Sequence, residues 1–256
     1  MAFDADLNAC AALVEKGDPD RFAAAMASPV AARRVLFPLY AFNVEVSRAP
    51  WVTQEPMIAE MRLQWWRDAM EEIASGEKVR RHEVVTPLAE ILQPQSAKIL
   101  EQLVVARRWD IYKEAFEDAA HFEAYLDKTA AGLMWVAASA LGAGEVVDET
   151  MVRHLGRATG LARFLQAVPA LEEQARIPLV DGRPAAIREL AEKALAGCPS
   201  ARQIKRGLPA QVRPAIAEAF LAYPILRQVV RQPQHVAAGS LAVHPVKRSF
   251  LLWQWS

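Results

Sequence analysis

Pro56–Ser75 reads PMIAEMRLQWWRDAMEEIAS. Ile58, Met61, Trp65, Ala69 and Ile73 recur in it at spacings of three and four, which predicts a helix with those residues on one buried face. Pro56 suits its first turn and Gly76 the position just past its end. The same composition, rich in Ala, Leu, Glu and Arg, extends in both directions, and no stretch alternates with period two between turn residues. Outward from 56–75, further helices are expected near 4–15, 30–48, 87–92, 95–115, 119–141, 185–196 and 209–231, the last kinked at Pro224. Another should start at a cap on Asp148, bury Leu155, Ala158, Ala162 and Leu165, and end or bend at Pro169. Breaks fall at 76–86, 142–147, 169–184 and 232–243. None is long or biased enough to be a linker, so the expectation is an all-α chain forming one domain over residues 1–256.

The 256 residues are 53% hydrophobic and 23% charged, enough apolar material for a sizeable core. Thirty basic and thirty acidic side chains give a formal net charge of zero, so no global field favours nucleic acid. Cys10 and Cys198 form neither a disulfide framework nor a zinc pattern. Met1 to Asp6 carries acid where a signal peptide carries base. The longest uncharged stretch, Thr129 to Gly144, has 16 residues, short of the roughly 20 a membrane-spanning helix needs. A cytoplasmic protein is expected, at most peripheral to a membrane.

Four words carry a resemblance: Ala32-Arg33-Arg34-Val35-Leu36-Phe37-Pro38-Leu39-Tyr40-Ala41-Phe42, Leu63-Gln64-Trp65-Trp66-Arg67-Asp68, Tyr125-Leu126-Asp127-Lys128-Thr129-Ala130-Ala131-Gly132-Leu133-Met134 and Gly156-Arg157-Ala158-Thr159-Gly160-Leu161-Ala162. In order and spacing they resemble the squalene/phytoene synthase family over roughly residues 20–180. The resemblance implies an isoprenoid-synthase-like helical bundle around a central cavity. It also implies two aspartate-rich motifs, each with two carboxylates four residues apart on a helix, holding Mg²⁺ against a substrate diphosphate.

Laid on that pattern, the first motif falls on Ser47 to Trp51 and the second on Ala167 to Leu171, with no acid at either end of either window. Pro50 and Pro169 lie inside the windows, and a proline costs about 3 kcal/mol in a helix interior, so both helical ledges are expected to be broken. Glu45 sits two residues before the first window, and Glu172 and Glu173 are expected in a loop beyond Pro169. Asp68 and Asp110 read as solvated or structural acids. No catalytic residue and no metal ligand is therefore assigned, and no cofactor is expected unless the chain is an active transferase, which would need Mg²⁺.

Tyr40, Phe42, Trp65, Trp66 and Trp135 are candidates to line an isoprenoid cavity, or are core. Arg33 and Arg34 are candidates to grip a diphosphate, or are a solvated first turn. Among His82, His121, His154, His235 and His244 no two are four apart, so a helical metal pair is absent. Val243 to Ser256, with Lys247, Arg248, Phe250, Leu251, Leu252, Trp253 and Trp255, reads either as an interfacial or partner-docking segment or as a last helix packed onto the domain.

The words Tyr40-Ala41-Phe42-Asn43-Val44-Glu45 and Glu60-Met61-Arg62-Leu63-Gln64-Trp65-Trp66 are similar to a branch of the family lacking the aspartate motifs, which includes the mitochondrial factor that assembles respiratory complex I. That resemblance implies a non-catalytic assembly or binding protein, with respiratory-chain subunits as the implied partners. The alternatives are an active prenyl transferase condensing two isoprenyl diphosphates, and an isoprenoid or lipid carrier.

Overall fold

The computed structural model describes residues 4–53, 55–198 and 201–255; Met1 to Phe3 and Ser256, at the ends of the two terminal segments read above, lie outside them. The described residues form helices and no strand: α1 (Ala5–Gly17), α2 (Pro19–Met26), α3 (Val30–Arg48), α4 (Pro56–Ser75), α5 (Val85–Ile91), α6 (Pro94–Ala106), α7 (Ala119–Leu126), α8 (Gly132–Ala140), α9 (Glu149–Glu173), α10 (Pro184–Ala196), α11 (Ala201–Gly207), α12 (Ala222–Arg231) and α13 (Pro245–Trp255). Short 3-10 segments cover Arg107–Asp110 and Arg213–Leu221, and a π-turn over Asp127–Ala131 joins α7 to α8. Local chemistry sets the boundaries. The carboxylates of Asp4, Asp18, Asp118 and Asp148 accept from backbone N–H groups in the first turns of α1, α2, α7 and α9. Pro19, Pro56, Pro94 and Pro184 open their helices where a missing N–H costs nothing. Gly76 ends α4 at φ 72°, a conformation cheap only for glycine.

α3 crosses the middle of the bundle with Leu36, Phe37, Leu39, Tyr40, Ala41 and Phe42 fully buried. α9 meets the π-turn at close range. A Cβ on Gly156 would come within 2.5 Å of Ala131 Cα, and one on Gly160 within 2.5 Å of Ala130 Cβ. Arg153 and Arg157 of α9 reach Asp127 at 3.0 and 2.6 Å. Two of the four sequence words are thus one packing joint.

Four expectations need correcting, the first being the helix over 95–115, which ends at Ala106 and gives way to the 3-10 turn at Arg107–Asp110. On α4 the buried stripe is Ala59, Leu63, Trp66, Ala69, Met70 and Ile73, while Ile58 and Met61 are 45% and 66% exposed and Trp65 is half-buried. The helix is rotated toward α6 because its Ala, Leu and Met residues form a second, equally periodic stripe. α9 does not end at Pro169 but continues to Glu173, so Glu172 and Glu173 are helical. The turn around Gly239 (φ 63°) lies against the Pro169 ring, and Gln166 donates to the Leu241 carbonyl at 3.1 Å, so tertiary contact holds the helix through the proline. The change of path within 209–231 lies at Leu221–Ala222, where the 3-10 segment becomes α12, and Pro224 sits in the first turn of α12, where it is tolerated.

Candidate functional site

The first window straddles a helix end. Ser47, in the last turn of α3, donates its hydroxyl to the Val44 carbonyl at 3.0 Å; Ala49 closes the helix and Pro50 and Trp51 lie in the turn beyond. In the second window, Ala167 is exposed and Leu171 half-buried on α9. Neither window offers an oxygen donor pair.

The interior behind the windows is held by arginines. Arg21, 5% exposed on α2, donates Nε to Glu218 Oε2 at 2.5 Å and Nη1 to Asp18 Oδ2 at 3.1 Å, and lies 5.4 Å from the Tyr40 ring centre. Arg163, one turn before Ala167 on α9, donates to the same Asp18 oxygen at 2.7 Å. Burial alone would raise the Asp18 carboxyl, but Arg163 and Arg21 outweigh it and hold the pKa below the ordinary 3.8. Burial and Glu218 together push the Tyr40 hydroxyl well above its ordinary range, so it stays protonated.

A second half adjoins the first. Asp110, 3% exposed, accepts from Tyr125 Oη at 2.9 Å and from Arg107 Nη1 at 3.1 Å, and Arg107 also donates to Tyr125 Oη at 2.8 Å. Arg107 lies near enough to Arg21 for the two charges to oppose each other. Arg176, 7% exposed, donates to the backbone carbonyls of Asp110 and Tyr112. Its guanidinium is 4.6 Å from the ring centre of Trp51, in the first window, and 5.9 Å from that of Trp109. Desolvation lowers the Arg176 pKa, against a partial offset from Asp110 and Tyr125. Four guanidinium groups (Arg21, Arg107, Arg163, Arg176) therefore face three carboxylates (Asp18, Asp110, Glu218), leaving one positive charge in excess.

This donor set does not fit Mg²⁺. A hard dication needs several oxygen ligands; here each carboxylate accepts from a guanidinium, and the surplus positive charge repels a second cation in a medium of reduced dielectric. Among the described residues no three His, Cys, Asp or Glu side chains are grouped to hold a metal. The thiols are poor nucleophiles too: burial pushes Cys10 up to about 12 and Cys198 up to about 11.

The residues singled out from the sequence disperse. Arg33 donates to the carbonyls of Ser28 and Met26 at 2.9 and 2.7 Å, fastening the end of α2, and Arg34 is half-buried on the next position. Tyr40 and Phe42 are fully buried. Phe42, Trp65 and Trp66 form an edge-packed group (Phe42–Trp66 5.4 Å, Trp65–Trp66 4.9 Å) beside His82. Trp65 and Trp66 border a pocket of about 210 Å³ shared with Glu45, Arg62 and His82. Trp135 is half-buried on α8. Asp68 accepts from Gln64 at 2.6 Å on the surface of α4. The sequence reading missed Arg21, Arg107, Arg163, Arg176, Asp18 and Glu218, and the one local signal was Asp18-Pro19, a helix-start pair three residues before Arg21.

The family model described as "Squalene/phytoene synthase" matches residues 14–180. A curated Drosophila melanogaster protein, "NADH dehydrogenase (ubiquinone) complex I, assembly factor 6 homolog", is 33% identical over 172 residues, covering 64% of this chain and 51% of its own. The Homo sapiens "NADH dehydrogenase (ubiquinone) complex I, assembly factor 6" is 24% identical over 161 residues, covering 62% and 48%. The chain thus spans about half the length of the curated relatives it matches. A solved dehydrosqualene synthase in complex with ligand superposes with a TM-score of 0.79 at 15% identity, over 98% of this chain and 95% of that one, a likeness of fold.

Proposed function

Since the chain belongs to the squalene/phytoene synthase family and yet sets four arginines, Arg21 and Arg176 buried and Arg107 and Arg163 partly so, behind two windows without carboxylates, we propose that it is a non-catalytic assembly protein for respiratory complex I. One observation carries the non-catalytic half: the excess positive charge of Arg21, Arg107, Arg163 and Arg176 behind two windows without carboxylates. Head-to-head condensation of prenyl diphosphates needs divalent cations to draw off the leaving group, and this interior favours anions over cations. The similarity to the complex I assembly factors supports the other half. On this reading the partners are respiratory-chain subunits, and the protein works in the cytoplasm against the inner membrane; among the described residues no helix is long and apolar enough to cross a membrane.

The test is genetic and biochemical. Cells lacking the gene should accumulate less assembled complex I and lose NADH oxidation by their membranes, and the intact gene should restore both. Tagged protein should co-purify complex I subunits. Normal complex I in the deletion strain, together with loss of a squalene- or phytoene-type product, would overturn the reading.

A further inference from the structure

Residues 219–256 contain no Asp or Glu but carry Arg227, Arg231, Lys247 and Arg248, in a chain of zero net charge. Arg248 is matched: it pairs with Asp20 and lies over the Phe220 ring. The other three line a groove of about 500 Å³ between α12 and α13, with His244 at its rim and Pro224, Val243 and Leu251 as apolar lining. Arg227 and Arg231 stand one turn apart on α12, both exposed, a spacing at which like charges repel. Among the described residues no carboxylate pairs with either of them or with Lys247. The groove is therefore an unneutralised cationic site with an apolar wall.

Beside it lies an apolar face. Val246, Phe250 and Trp253, spaced four and three residues apart on α13, are 72%, 54% and 72% exposed, and Lys247 borders both face and groove. The helix is fastened on its other side by Trp255, 3% exposed, and by Arg248 to Asp20. The face is thus presented by an anchored helix.

We propose that this rim docks the protein on an anionic phospholipid surface, with headgroup phosphates entering between Arg227, Arg231 and Lys247 while Val246, Phe250 and Trp253 enter the interfacial layer. Three features select a bilayer as the occupant: a net positive charge left by the absence of acids in one segment of a neutral chain, an aromatic face beside it, and a helix too short to span. Each cation near such a surface contributes about fivefold in affinity. The proposal does not depend on the assembly role.

The full chain is floated with phosphatidylcholine vesicles and with phosphatidylcholine vesicles containing phosphatidylglycerol. Binding is expected to the anionic vesicles only, weakening as salt is added. The variant R227Q/R231Q/K247Q should bind about 100-fold less tightly with an unchanged thermal melt. F250S should weaken binding at both low and high salt. Equal binding to neutral vesicles, undiminished binding by the triple variant, or no binding to either vesicle, which would leave the face to a protein, would overturn the proposal.

Discussion

Ser47–Trp51 and Ala167–Leu171 stand where the resemblance puts two matching metal motifs, and the fold treats them in opposite ways. At the first, the helix stops: Arg48 is its last residue, Pro50 follows the cap, and Trp51 turns its ring onto Arg176. At the second, the helix persists through a proline for another turn, held from outside by the Gly239 turn and Gln166. Each window is backed by one half of the arginine interior. α9 is tied through Arg163 to Asp18, Arg21 and Glu218; the segment after α3 reaches the other half through Trp51, whose ring lies against Arg176, which donates to the Asp110 carbonyl. The lesson is that a helical ledge can survive without its ligands. Both windows lack carboxylates at their ends, and one of them also lacks the helix.

That asymmetry can be broken most forcefully on the α9 side. Glu218→Ala leaves Arg21 buried beside a single remaining carboxylate, and urea denaturation should report a loss of about 3–5 kcal/mol. Replacing both, Arg21→Met with Glu218→Leu, should recover much of it, since well-packed apolar residues often match a buried ion pair. A smaller and opposite effect is expected from the prolines. Pro169→Ala restores an intrahelical donor and should stabilise by about 1–3 kcal/mol, while Pro50→Ala, outside any helix and at a buried position, regains no such bond, loses ring packing and should not stabilise the chain. Equal effects would mean that α9 is not a working helix at Pro169. On the α3 side, Trp51→Ala removes a half-exposed cation–π contact and should cost about 1 kcal/mol.

The smallest effect is a pH dependence. The Asp18 carboxyl is held below its ordinary 3.8 in the folded protein, so the unfolded chain takes up this proton first on acidification. The stabilisation is present above about pH 4 and is lost as pH falls through the depressed folded value. Denaturation midpoints measured from neutral pH downward should fall less steeply below about pH 4 in Asp18→Asn than in the parent chain.

Much of the architecture was legible because helix periodicity and caps are local. Asp148, Pro56 and Gly76 each act within a turn or two of themselves, and Leu155, Ala158, Ala162 and Leu165 are all buried as their spacing requires. The rotation of α4 was not, since Ile58 and Met61 on one stripe and Leu63 and Met70 on another satisfy the same period and only α6 chooses between them. Proline as a helix breaker held at Pro50 and failed at Pro169, because the contacts that override it come from residues 239 and 241. The loss of carboxylates was readable position by position. Their replacement was not: Arg21 meets Glu218 across 197 residues of sequence, and an isolated arginine carries no mark that distinguishes a buried role from a solvated one.

The most direct measurement incubates the purified chain with farnesyl or geranylgeranyl diphosphate and follows diphosphate release with and without Mg²⁺. An interior held by Arg21, Arg107, Arg163 and Arg176 predicts no release above the uncatalysed rate under either condition. Mg²⁺-dependent release accompanied by a squalene- or phytoene-type product would contradict it.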